Sequence, residues 1–150
     1  DVRFALIGEP DPHNPESVSE AQLKEWESLG FIEYWGRQDN MLEVYNMADL
    51  VCFPSYHEGL PKTLLEAASC GLPIVSYDVP GCREVVQDTI NGFLIPLKDK
   101  DALFLAVLKL LEDSKLRYEM GQRGRKLILQ DFTQEKIAAE TISVWNEFLK

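Results

Sequence analysis

Up to residue 97 the chain alternates short apolar runs with stretches in which apolar residues recur at helical spacing. "VRFALIG" (2–8) is an apolar run ending at a glycine and predicts a buried strand; "AQLKEWESLG" (21–30) predicts a helix closed by Gly30. "FIEYWG" (31–36) predicts a second strand, "NMLEVYNMA" (40–48) a short helix, and "DLVCFPS" (49–55) a strand ended by Pro54. A helix from Pro61 to about Cys70 stops at Gly71, followed by a strand at 72–78, a short helix at 82–88 and a last strand at 92–97. Only helices follow, at 99–112, 114–130 and 133–149, the last with Thr133 as N-cap and Glu135 or Lys136 in its first turn. Strand-helix alternation at this spacing predicts an α/β fold, a doubly wound, Rossmann-like parallel sheet with added C-terminal helices. The loop "EPDPHNPES" (9–17) is an excursion either at the ligand-binding edge of that sheet or on plain surface, and His13 is expected on its surface.

Composition narrows the function classes. The 150 residues suit one domain, 1–150, and 45% hydrophobic with 27% charged residues excludes a disordered chain. A net charge of −10 with no Lys/Arg run excludes a general nucleic-acid or anionic-membrane surface. Cys52, Cys70 and Cys82 lack CxxC spacing and read as reduced thiols of a cytoplasmic protein. The abrupt start at Asp1 reads as that of an excised piece.

The candidate chemistry lies in "SYHEGLPKTLLEA" (55–67), where Glu58 and Glu66 flank a Gly-Leu-Pro corner. Pro61 suits the first helical position and Gly59 permits a backbone conformation closed to other residues, so the corner directs free N–H groups outward, a seat for phosphate. Leu64, Ala67, Ala68 and Gly71 share one face, whereas Glu66 is turned by about 200° from Leu64, away from the core. It lies roughly 7 to 8 Å along the axis from Pro61, a reach that suits the diol of a nucleotide whose phosphates sit at the helix tip. Glu58 would lie on the far side of those phosphates, beside an attached sugar. The same residues also suit a plain surface helix with a solvated Glu66 and an acidic Glu58 that favours the helix dipole.

Residues 58–86, "EGLPKTLLEAASCGLPIVSYDVPGCREVV", resemble the Glu-x7-Glu signature and following strand of the donor-binding domain in retaining glycosyltransferases of the GT-B architecture. The likeness continues through 91–113 and 117–126 and upstream through 31–55. "GEPDPHNPESVSEAQLKEW" and "DVPGCREVV" resemble bacterial members that extend lipid-linked or capsular polysaccharide precursors. The resemblance implies the C-terminal half of a GT-B fold and a hexosyltransferase that retains anomeric configuration. Its substrates would be a UDP- or GDP-linked sugar and a glycan or polyprenyl-linked acceptor, with no cofactor; no His/Asp constellation at ligand spacing calls for a metal.

Site roles follow from the same resemblance. Glu66 would bind the ribose hydroxyls, and Glu58, the catalytic carboxylate, would lie beside the transferred sugar and leaving phosphate. The main chain of Gly59, Leu60, Pro61, Lys62 and Thr63 would face sugar and diphosphate, with His57 beside the sugar. The turn Gly36, Arg37, Gln38 would meet the base, although Arg37 also suits a solvated turn. Lys62 reads as an exposed lysine whose unfavourable place in the first turn a diphosphate would relieve. Tyr56 reads as a packing residue and Asp78 as a strand-end residue.

The pattern also departs from the family. The chain starts at what resembles the family's second strand, without the basic residue that neutralises the leaving diphosphate and without the N-terminal acceptor domain, through which alone membrane contact would come. Residues 1–150 alone are therefore expected to be inactive in transfer. In the strand order 3-2-1-4-5-6, a missing strand 1 exposes edges expected to close directly or to pair in an oligomer. Trp145 and Phe148 would either cover surface normally buried by the absent domain or pack on the last helices. Paired-carboxylate hydrolysis by Glu58 and Glu66 is set aside because the corner between them points donors at an anion. A non-catalytic nucleotide-sugar module and a sugar-nucleotide epimerase of similar architecture are the alternatives.

Overall fold

A computed structural model describes residues 2–11, 13 and 17–149; parts of the loop expected at 9–17 lie outside the described residues. The chain divides into two compact units, Asp1–Val44 and Tyr45–Lys150.

In the first unit, β1 (Ala5–Ile7) pairs in parallel with β2 (Glu33–Gly36), Ala5 opposite Glu33 and Leu6 opposite Tyr34. Between them, α1 (Glu20–Ser28) starts where the Ser19 side chain accepts from the Gln22 N–H, and it buries Leu23. Gly30, at φ +73°, ends the helix. Phe31 N–H donates to the Trp26 carbonyl and Gly30 N–H to that of Glu27, both at 3.0 Å, so the orphan carbonyls of the last turn are satisfied. A single glycine therefore closes the helix as its sequence position predicts.

The short helix α2 (Met41–Met47) carries the chain into the second unit, where β3 (Val51–Phe53), β4 (Ile74–Tyr77) and β5 (Gly92–Ile95) pair in parallel in the order β3-β4-β5. Every residue of β4 is buried, as a central strand covered on both faces must be. On this sheet, α3 (Lys62–Ser69) buries Leu64, Ala67 and Ala68, the face its spacing predicts. It ends as α1 does: Gly71 has φ +79°, and the Leu72 and Gly71 N–H groups donate to the Ala67 and Ala68 carbonyls. Asp99 caps α5 (Lys100–Glu112) by accepting from the Ala102 N–H at 2.9 Å, and Asp113 caps α6 (Ser114–Asp131) through the Leu116 N–H at 2.8 Å. Close packing of α6 on the end of α3 depends on Gly121, where a Cβ would strike the Gly71 carbonyl oxygen. Leu64, Ile74, Val75, Leu110 and Met120 form the most shielded part of the core.

Three expectations are corrected. The helix expected at 82–88 is instead α4 (Pro80–Arg83), with Pro80 in its first turn. It cannot continue as a surface helix because the consecutive Val85 and Val86 are both buried; beyond it the Asn91 side chain accepts from the Gln87 N–H at 2.7 Å. The described strands form two parallel sheets rather than one directly closed sheet. Finally, α7 (Gln134–Phe148) is capped by Thr133 as predicted, yet buries no residue, and Trp145 and Phe148 are 66% and 85% exposed rather than packed on the last helices. No described helix is long and apolar enough to cross a membrane.

Candidate functional site

The corner before α3 is built differently from its expected geometry in one respect. Pro61 is the N-cap, not the first helical residue: at φ −71° and ψ 110° its carbonyl accepts from the Leu64 and Leu65 N–H groups at 3.0 and 3.3 Å. Lys62 and Thr63 thus become the first two helical residues. Among the described residues, the main-chain N–H groups of Gly59, Leu60, Lys62 and Thr63 have no acceptor, and Gly59 and Leu60 are exposed. A helix start without a side-chain cap carries about half a positive charge. Gly59 does not adopt the left-handed backbone, and a Cβ there would meet nothing within 4 Å. The glycine on which the corner depends is Gly81, at the second position of α4: a Cβ there would collide with the Gly59 and Glu58 carbonyls. A Pro-Gly pair at 80–81 is visible in the sequence, but not the loop it seats.

Glu66 is less free than its spacing predicts. Its side chain is 36% exposed and held from two sides. The Lys62 ammonium lies 3.3 Å from Oε1, while the Tyr45 hydroxyl, from the second unit's portion of α2, is 3.2 Å from Oε2 and 3.3 Å from the Thr63 carbonyl. Lys62 is 87% exposed, so its pair adds little; the Tyr45 ring is buried. Burial, then the Glu66 charge, pushes the Tyr45 phenol well above its ordinary value, so it stays protonated and donates. Two contacts leave lone pairs of the carboxylate open to further donors.

Glu58 is partly exposed just before the corner, and His57 beside it is exposed, its carbonyl accepting from the Ser55 hydroxyl at 3.5 Å. Tyr56 packs, as expected, yet stays half exposed: its ring stacks on Tyr77 with centroids 5.7 Å apart, and the Lys98 ammonium lies 5.4 Å from the Tyr56 ring centre. Asp78 is tied to Arg83 by an ion pair, which accounts for it as a strand-end residue. His57 through Thr63 and Glu66 therefore form one continuous feature of the second unit. Arg37 and Gln38 belong to the first unit, just after Gly36, whose φ of +61° makes the turn. Arg37 is 3.7 Å from Asp39 and exposed, and the Gln38 amide donates to the Trp35 carbonyl at 2.6 Å. Among the described residues no group of three or more His, Cys, Asp or Glu is placed to hold a metal.

The fold has counterparts in known proteins. The chain is 30% identical, over all of its length, to N-acetyl-alpha-D-glucosaminyl L-malate synthase from Bacillus anthracis, covering 39% of that protein. Over 99% of its length it is 31% identical to N,N'-diacetylbacillosaminyl-diphospho-undecaprenol alpha-1,3-N-acetylgalactosaminyltransferase from Campylobacter jejuni, covering 38%. Thus the chain spans less than half the length of these curated relatives. Sucrose-phosphate synthase from Thermosynechococcus elongatus superposes with a TM-score of 0.85 at 25% identity, over 98% of this chain and 38% of that one. Such a match is that of one half of a GT-B fold. Residues 1–127 match the family model for glycosyl transferases group 1, and the chain belongs to that family.

Proposed function

We propose that this chain supplies the donor site of a retaining glycosyltransferase that moves a hexosyl group from a nucleotide sugar to a glycan or lipid-linked acceptor in bacterial polysaccharide assembly. The observation that carries the reading is the run of acceptor-free N–H groups at Gly59, Leu60, Lys62 and Thr63, with Glu66 about one turn further along the same helix. Oriented main-chain donors at a helix start stabilise an anion without reorganising when charge develops, which is what a departing diphosphate requires. Glu66 takes the ribose hydroxyls and Glu58 the side of the transferred sugar. His57 lies beside that sugar. Pro61 offers only its carbonyl, which is committed to the helix. No metal or cofactor is assigned a role.

The relatives' names support this assignment: one is a synthase of a glucosaminyl conjugate, and the other transfers a sugar to a diphospho-undecaprenol acceptor. In a cytoplasmic enzyme of this kind, residues 1–150 hold the nucleotide while acceptor positioning and exclusion of water need a second wall; taken alone they bind but do not transfer.

Isothermal titration calorimetry with UDP, GDP and their sugar conjugates tests the reading. One diphosphate series should bind, and Glu66→Ala should weaken it by about 10- to 150-fold, the equivalent of a charged hydrogen bond of about 1.5 to 3 kcal/mol. Equal affinity of wild type and variant would remove Glu66 from the ribose and with it the orientation of the donor.

A further inference from the structure

Tyr45 contributes to the site from outside the signature stretch. Its hydroxyl faces two acceptors on α3, Glu66 Oε2 at 3.2 Å and the Thr63 carbonyl at 3.3 Å, 21 and 18 residues away in sequence. Thr63 is also a residue whose own N–H lacks an acceptor among the described residues. One proton is thus shared between the carboxylate proposed for ribose and the peptide next to the proposed phosphate seat. The Tyr45 ring is 5% exposed and cannot swing aside, whereas Lys62, the other partner of Glu66, is a solvated side chain on a flexible stem. Resting on the donor-site reading above, we propose that Tyr45 is a positioning residue: its hydroxyl holds the Glu66 carboxylate in the orientation that receives the ribose diol.

The energetic logic is preorganisation. A carboxylate on a freely rotating glutamate must be ordered when the diol arrives, and a bound one need not be. Removing the hydroxyl leaves Glu66 present and charged but loosely aimed. Tyr45→Phe should therefore erode recognition of the diol specifically, not nucleotide binding in general. The quantity to read is the ratio of dissociation constants for 2′,3′-dideoxy-UDP and UDP, or for the GDP pair if guanine is preferred. A net hydrogen bond of ordinary strength predicts that the ratio falls by about 2- to 12-fold in Tyr45→Phe.

Calorimetry on the full chain separates the outcomes. A wild-type ratio near one, or no nucleotide binding at all, would defeat the donor-site reading and this inference with it. A wild-type ratio well above one that Tyr45→Phe leaves unchanged would defeat the inference alone. A reduced ratio that disappears as a difference in the Glu66→Ala background, where Tyr45→Phe then has no further effect on affinity, is the expected result. A purely structural role for Tyr45 would lower the melting temperature and weaken both nucleotides equally. If Tyr45→Phe does not fold, site-specific 3,5-difluorotyrosine at position 45 keeps every partner in place and makes the hydroxyl a stronger donor. The ratio should then rise, and an unchanged ratio overturns the proposal.

Discussion

Replacing Gly81 with alanine tests whether the donor corner depends on the seat beneath it. The new Cβ would lie 2.7 Å from the Glu58 carbonyl carbon and closer still to the Glu58 and Gly59 carbonyl oxygens. Ordinary contact begins at 3.4 Å and the Glu58 carbonyl oxygen would lie only 2.5 Å away, so main chain must move by at least 0.9 Å, and none of the obstructing atoms is a side chain that can rotate away. Overpacking of this kind costs about 1 to 3 kcal/mol, which for a chain of this size lowers the melting temperature by about 2 to 12 °C. Gly121→Ala is the control: its Cβ meets the Gly71 carbonyl oxygen still more closely, but at the opposite end of α3. Both variants should melt earlier, Gly121→Ala by at least as much. Only Gly81→Ala should also lose nucleotide affinity, and in a transfer-competent enzyme it should lose turnover, by up to about 10²-fold for an ångström-scale misplacement. Differential scanning fluorimetry with calorimetry on both variants reads the two effects separately. Equal loss of affinity in the two, or wild-type affinity in a destabilised Gly81→Ala, would refute the dependence of the corner on Gly81.

Two further expectations concern single side chains. Glu58→Ala should lower the turnover of a transfer-competent enzyme by much more than it raises the dissociation constant of the nucleoside diphosphate; equal effects on both would move Glu58 away from the transferred sugar. The second concerns pH: the Arg83 guanidinium, by hydrogen bond and then charge, holds the Asp78 carboxyl below its ordinary value of 3.8. A depressed folded value adds stability that is fully present above that ordinary value and is lost as the pH falls through the folded one. The melting-temperature gap between wild type and Arg83→Ala, small because both groups are about half exposed, should be flat from about pH 7 to 5 and close below about pH 4. A gap that widens on acidification would contradict the pair's sign.

Periodicity and punctuation made most elements legible. Gly30 and Gly71 end helices where the sequence places them because a left-handed residue closes the last turn, and Thr133 is read correctly because its cap is local. Local signals mislead where long-range packing decides. Val85 and Val86 are adjacent in a pattern compatible with a helix, but both are buried, and the segment leaves the helix to bury them. Similarly, Gly59 offers conformational freedom that the corner does not use, while Gly81, 22 positions later, supplies the space it needs. Glu66 shows its helical face in the sequence but not its partner, since Tyr45 reaches it only when α2 and α3 are folded. The position of Pro61 differs by one residue, which changes which N–H groups are left free.

The two ends of α3 are locked in different ways, one over the Gly121–Gly71 approach and the other over Gly81. A rod held at both ends cannot stretch or slide, so the distance between the free N–H groups of its first turn and the carboxylate of Glu66 is a constant set by a rise of about 1.5 Å per residue. On the proposed reading the site measures its ligand as a ruler does. A nucleotide whose phosphate and ribose hydroxyls match that fixed span engages both marks at once, before any contact with the base is made.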